Sequence, residues 1–573
     1  MDGHQSSSLQ YLSGIEFKTV SPGLALQKGR QCGDNFYRFT EVGKMSIAEA
    51  INQAIIAYKK QDWNSAEALC NRVLSLEGDY YDALNILGAV ATQTQRLEEA
   101  AELLERAVAV QPQNAEAHNN LGVALQKLTR LEPAIESFRR AIVISPGYAM
   151  AFYNQGNALQ ALGRPDEAIA SYERAIELKA DYAEAHNNRG NVLLQSGRLP
   201  DALESFDRAI AIKPYHAQAA VNRGLALCGL GRWEAAAAGF ERAIAVGADF
   251  PEVHCGLANA LQELGRLDAA VESYARAVAL RPDYAEAHCN CGTALQKLRR
   301  FDHAVASYER AIAIDTHSAV LHCNYGNALQ QIGRPDAAAA SFERAIVLNP
   351  EYTTARYALA ALGRGSVPSA APVDYVTALF DSFADSFDKN LVDTLDYQMP
   401  FVLARQFEQH GGSGPCSMLD LGCGTGLCGK AFAARARDIV GVDLSQRMLE
   451  KSGARKVYSE LVCSDIATYI QATDERFDLI VCADVFIYIG DLEKIFFGLK
   501  KALNAGGWFS FSVEHTDRQN FELKLSRRYG HSLAYLESLA AAAGFVMKDI
   551  LKTNLRKEEG VYLTGYAILM RAG

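Results

Sequence analysis

A period of 34 residues, running from about residue 47 to residue 352, constrains this chain more than any other feature. Stepping by 34 from Ala66 meets Ala100, Ala134, Ala168, Ala202, Ala236, Ala270, Ala304 and Ala338. A second column reads Gly88, Gly122, Gly156, Gly190, Gly224, Ala258, Gly292, Gly326 and Ala360, with Ala54 ahead of it. A third runs Ala107, Ala141, Ala175, Ala209, Ala243, Ala277, Ala311 and Ala345, headed by Val73. Pro112, Pro146, Pro214, Pro282 and Pro350 mark a fourth. Nine units follow without an insertion, each with two helical stretches such as 115–128 and 131–143. Small residues let helices approach closely, and proline falls where the second helix must stop, since it lacks an N–H and clashes with the preceding turn.

This register resembles the tetratricopeptide repeat family over about 300 residues. The resemblance implies an all-α, right-handed superhelix of helix pairs with a concave face, closed by a capping helix at 353–362. Asn120, Asn154, Asn188, Asn222, Asn290 and Asn324 form another column, broken at Gly256. Amides offer donors and an acceptor, so a ladder of them can pair with an extended peptide's backbone. A similar ladder holds peptides in the repeat domain of O-linked N-acetylglucosamine transferases. The competing reading is an asparagine bonded within its own unit and copied by duplication. His254-Cys255, His288-Cys289 and His322-Cys323, with His118 and His186, also recur. Adjacent units stand too far apart for a metal's short bonds, so these are read as helix-face residues and no metal is expected.

The chain has 573 residues, too many for one core, and its 49% hydrophobic and 22% charged content is that of a globular protein. With 57 basic against 67 acidic residues its net charge is −10, which disfavours a phosphate-gripping nucleic-acid binder. No apolar run reaches the roughly 18 residues of a membrane span, and the first 30 residues lack signal-peptide order. Twelve scattered cysteines fit a reducing cytoplasm. The expected domains are a weakly ordered extension (1–44), the repeats with their cap (45–363), a Gly/Ser/Pro linker (364–372) and a second domain (373–573).

In that second domain the period vanishes and strand–helix alternation begins, the mark of an α/β fold. Strands are expected at 417–421, 439–443, 458–463, 477–484 and 508–513, with a closing pair near 546–551 and 562–571. The first strand ends in Gly422-Cys-Gly-Thr-Gly426, and the second in Asp443. Gly424-Thr-Gly426-Leu-Cys-Gly429 also matches a dinucleotide-binding pattern, a weak signal alone. Asp420, inside the strand before the glycines, argues against it: a carboxylate repels a pyrophosphate and attracts a sulfonium or ammonium.

These ordered motifs resemble the class I S-adenosylmethionine-dependent methyltransferases, a Rossmann-like fold with a seven-stranded sheet. The resemblance implies that Asp420 and the backbone at Gly422, Gly424 and Gly426 hold the methionine part of the cofactor. It implies Asp443 on the ribose hydroxyls, Leu444 on the adenine, and Asp465 and Ile466 at its amino edge. Asp484, Val485 and Phe486 would lie beside the sulfonium. Phe380, Phe383 and Phe387 form an amphipathic face, a docked helix or a lid, with Tyr375 or Tyr397 reaching in. Tyr488, Glu514, His515 and His531 are weak candidates for a base. The whole reads as a methyltransferase whose repeats recruit a protein or peptide. The alternatives are a scaffold with an inactive domain, or a small-molecule enzyme whose repeats serve assembly.

Overall fold

A computed structural model describes residues 45–384, 396–411, 414–558 and 561–573. The expectations for 1–44 and for Phe387 lie outside them. Compactness divides the chain between Asn290 and Cys291, so the last repeats belong to the same compact unit as the α/β domain.

The repeat columns find their reason in packing. Helices pair within each unit, Ala115–Lys127 with Leu131–Ile144 and Ala183–Gln195 with Leu199–Ile212. The Ala100 to Ala338 column is fully buried. A Cβ on Gly88, Gly122, Gly156, Gly190, Gly224, Gly292 or Gly326 would stand 2.4 to 2.7 Å from a side chain sixteen residues later. That side chain is an aromatic ring in all but the first, as with Phe206 under Gly190. Gly190→Ala therefore overpacks Phe206 and is expected to cost about 1–3 kcal/mol. A thermal melt followed by helical circular dichroism checks this; an unchanged midpoint would contradict it.

The asparagine column turns toward neighbouring repeats. The amide nitrogen of Asn120 donates to Asn85 Oδ1 (2.9 Å), that of Asn154 to Asn119 (2.9 Å), and that of Asn222 to Asn187 (3.1 Å) and Asn191 (2.6 Å). Asn188 donates to the Tyr153 hydroxyl (3.1 Å) and Asn157 (2.9 Å), and Asn290 to Asn259 (3.2 Å). Asn120, Asn154, Asn188 and Asn222 are buried and Asn324 is half-buried. The amide N–H groups thus bond across units, while the Oδ1 atoms of Asn120, Asn188 and Asn222 accept within their own unit from Asn119 (3.4 Å), Asn187 (3.1 Å) and Gln218 (3.0 Å). The histidines hold turns: His118 bonds the Pro112 carbonyl and His288 the Pro282 carbonyl, both at 3.0 Å.

The second domain is a nine-stranded sheet. The strands are β1 (Cys416–Leu421), β2 (Ala436–Asp443), β3 (Glu460–Cys463), β4 (Phe477–Cys482), β5 (Leu503–His515), β6 (Phe521–Leu523), β7 (Tyr529–His531), β8 (Phe545–Glu558) and β9 (Val561–Ala572). The parallel run β3-β2-β1-β4-β5 continues through antiparallel β9 and β8, which accounts for seven strands. The expected seven-stranded sheet is corrected by a β6–β7 hairpin, whose β7 pairs parallel with the end of β5 at Glu514↔Gly530. Three-residue strands carrying Glu522 and Gly530 show no alternation to read. Phe509 and Phe511 stack at 4.5 Å in the core, with Phe486, Phe496 and Phe545 around them.

The linker is pinned. Ser369 O accepts from Gly490 N (2.8 Å) and Asp491 N (2.9 Å), and Ala371 N donates to Tyr488 O (2.8 Å). The following helix, Val373–Phe383, is thereby set beside the loop after β4.

Candidate active site

Buried apolar strands carry their chemistry at their C-terminal ends, where the backbone leaves the sheet. β1 leaves through a turn in which Gly422, Gly424 and Gly426 all have positive φ (69°, 53° and 87°), a conformation costly for other residues. A Cβ at Gly422 would meet Val485 Cγ2 at 2.3 Å, so only glycine fits between the two loops. β2 ends in Asp443, and both of its carboxylate oxygens are oriented by backbone. Oδ2 accepts from Gly424 N (2.8 Å) and Oδ1 from Ser445 N (2.9 Å). After β3, Asp465 caps the Ile466–Ala472 helix through Thr468 N (3.0 Å).

These loops surround a cavity of about 550 Å³. Gly422, Gly424, Asp443, Leu444, Asp465, Ile466, Asp484 and Val485 all line it, whereas Asp420 does not. Gly426 instead begins the Leu427–Phe432 helix, and Phe486 packs into the core against Phe511. The far side is aromatic and apolar. Phe380, from the Val373–Phe383 helix, stands edge-on to Tyr488 at 5.6 Å, and Tyr397 and Pro400 complete the wall. Tyr375 lies elsewhere, against Tyr357 at 5.5 Å.

Asp420 is 1% exposed, one residue before the glycine turn. Its Oδ2 accepts from the Tyr458 hydroxyl (2.6 Å), while Oδ1 is buried without a partner. Burial outweighs the Tyr458 hydrogen bond and raises its pKa to about 7. A carboxyl group poised in this way, with an unspent oxygen, suits a cationic ligand. Tyr458, which also accepts from Gly429 N (3.1 Å), was not singled out from the sequence.

The candidate bases separate. Tyr488 lines the cavity, and burial raises its phenol pKa. His531 is fully buried, bonds the Gly490 carbonyl (3.0 Å), and has its pKa lowered to about 4 by burial. His515 pairs with Asp517 (2.9 Å). Glu514 is 2% exposed and ion-paired to Arg556 and Lys524. Arg556, on β8, is the residue that sequence reading missed. Its Nη1 donates to both carboxylate oxygens of Asp484 (2.8 and 2.7 Å), and its other nitrogens bind Glu514 and Glu558. Asp484 sits at φ 61°, a strained conformation for aspartate that these contacts over-determine.

Known proteins agree with the two halves. A family model described as a methyltransferase domain matches residues 419–511. Tetratricopeptide repeat models match, among others, 114–181, 153–217, 193–260 and 325–376. A ubiquinone biosynthesis O-methyltransferase of Nitrosomonas europaea is 24% identical over 118 residues, covering 19% of this chain and 49% of that protein. One of Idiomarina loihiensis is 31% identical over 100 residues, 17% of this chain and 41% of that protein. The chain spans about half the length of the curated relatives it matches. Among solved structures, the repeat protein YrrB is 24% identical with a TM-score of 0.30, covering 33% of this chain and 96% of that one. The fold and site define a methyltransferase-type α/β domain. The chain is a tetratricopeptide repeat array fused to that methyltransferase domain.

Proposed function

We propose that the chain is an S-adenosylmethionine-dependent methyltransferase whose repeats recruit a protein or peptide acceptor. The observation that carries the cofactor is the pair of buried carboxylates around the glycine turn: Asp443 on the cavity wall and Asp420 with its unpartnered oxygen. When bound, the cofactor supplies an activated methyl group for in-line displacement. Asp443 accepts the ribose hydroxyls, and Leu444 and Ile466 flank the base. The glycine turn would admit the methionine part, and Asp420, buried beside the turn and not on the cavity wall, would offset its positive charge. Phe380, Tyr397 and Tyr488 exclude water and align the acceptor, the main contribution such an enzyme makes. No helix among the described residues is long and apolar enough to cross a membrane. The scattered spacing of the cysteines in the sequence suits a reducing, cytoplasmic setting.

Because the cation favours ionised Asp420, cofactor binding below pH 7 must release a proton. Affinity is expected to fall about tenfold from pH 8 to pH 6 and to level off above. Calorimetric titration in buffers of different ionisation enthalpy reads both effects; a pH-independent affinity without proton release would contradict the assignment.

A second reading has its own support. Asparagine donors spent between repeats, an aromatic cavity, and relatives named for ubiquinone biosynthesis favour a small-molecule acceptor, with the repeats serving assembly. Full-length protein incubated with labelled methyl donor and cell extract separates the two. Label on polypeptide supports recruitment; label confined to small molecules overturns it.

A further inference from the structure

The ninth repeat ends on a socket that no repeat fills. In two earlier units an asparagine oxygen receives two donors. Asn157 Oδ1 accepts from the Tyr172 hydroxyl of its own unit (2.7 Å) and from the Asn188 amide of the next (2.9 Å). Asn259 likewise accepts from Tyr274 (2.5 Å) and Asn290 (3.2 Å). Gln160 Oε1 accepts from the same Tyr172 hydroxyl (3.0 Å). In the ninth unit the matching acceptors are Asn327 and Gln330. Phe342 stands where those tyrosines stand and has no hydroxyl; Ala358 stands where the next asparagine would be and has no amide.

The donor comes from the methyltransferase domain. Arg527, in the turn between β6 and β7, donates from Nη2 to Asn327 Oδ1 (2.5 Å) and Gln330 Oε1 (3.1 Å). Its guanidinium lies 5.7 Å from the centre of the Phe342 ring. Two further bonds seat the turn's backbone: Gln330 Nε2 donates to Leu525 O (3.1 Å) and the Tyr357 hydroxyl to Arg527 O (2.6 Å). One guanidinium thus replaces a phenol and an amide at once, which its planar fork of donors suits it to do.

We infer that the ninth repeat is a guanidinium receptor whose ligand is this chain's own 524–528 turn, and that Arg527 is a positioning residue for the acceptor side of the cavity. The turn's ends carry the effect onward. Lys524 Nζ binds Glu514 (3.1 Å), and Arg528, which lines the cavity, binds Glu558. Glu514 and Glu558 both bind Arg556, which holds Asp484 on the cavity wall. A continuous path of polar contacts therefore joins the repeat socket to the cavity, whatever ligand the cavity takes.

Hydrogen exchange on the full chain tests this with two variants. Phe342→Tyr supplies the missing hydroxyl to Asn327 and Gln330, as Tyr172 does in its unit, and so competes with Arg527. Arg527→Ala combined with Phe342→Tyr keeps the socket satisfied without the turn. In both, amides at 521–531 and 484–490 are expected to exchange about tenfold faster or more, while the 319–331 helix keeps its protection. Unchanged protection at 521–531 and 484–490 in the double variant would overturn the inference. So would equal loss in the 319–331 helix, which marks general unfolding instead of positioning.

Discussion

Arg556→Met is expected to destabilise the unit containing the methyltransferase domain by about 3–5 kcal/mol, because it leaves Asp484 without its cation and the buried Glu514 with Lys524 alone. The guanidinium is 2% exposed and holds three carboxylates, of which Glu514 is equally buried and Asp484 only 15% exposed. Methionine keeps most of the side chain's volume, so lost packing is not the main cost. Glu514 and Glu558 keep Lys524 and Arg528, so the loss falls chiefly on Asp484. Urea denaturation reads the loss as a lower midpoint. Adding Glu514→Gln to Arg556→Met should return part of the loss. An unchanged midpoint would mean that the cluster is not the keystone of this end of the sheet.

The second large effect concerns the cofactor. Asp443→Ala is expected to weaken S-adenosylhomocysteine binding about 100-fold or more, since two hydrogen bonds to a charged acceptor are each worth about 1.5–3 kcal/mol. Asp443 also fixes the glycine turn through Gly424 N, so a parallel thermal melt must accompany the titration. Asp443→Asn is the sharper probe. It keeps the shape but points an N–H at a site where Gly424 and Ser445 already donate. Weakened binding with a retained melting midpoint supports the ribose assignment; wild-type affinity in both variants contradicts it.

Much of this was legible in the sequence, for identifiable reasons. The glycine column was readable because repetition multiplies one packing constraint, ring against glycine, along the array. The loop ends of β1, β2, β3 and β4 were readable because strand, turn and acid follow one another locally. Other features depend on partners far along the chain. The asparagine column could be found, but not that its bonds reach the preceding unit, about 35 residues back in most cases. Arg556 escaped because a register shift between Asn554 and Arg556 breaks the alternation, burying Leu555 and Arg556 side by side. Tyr458 precedes β3 and reaches Asp420, 38 residues earlier, only after the sheet has formed. Arg527 sits in a charged turn that reads as solvent-facing, and its acceptors lie 197 and 200 residues away. One local signal was available: Phe342 lacks the hydroxyl that Tyr172 offers Asn157 and Gln160 at the same repeat position, which leaves the oxygens of Asn327 and Gln330 in need of a donor.

The central claim, a sulfonium-cofactor site between β1 and β4, is tested most directly by calorimetric titration of the full-length protein with S-adenosylhomocysteine. The expected result is saturable one-to-one binding at micromolar ligand, weakened about 100-fold or more in Asp443→Ala. No detectable binding at millimolar ligand, in protein that melts cooperatively, would contradict it.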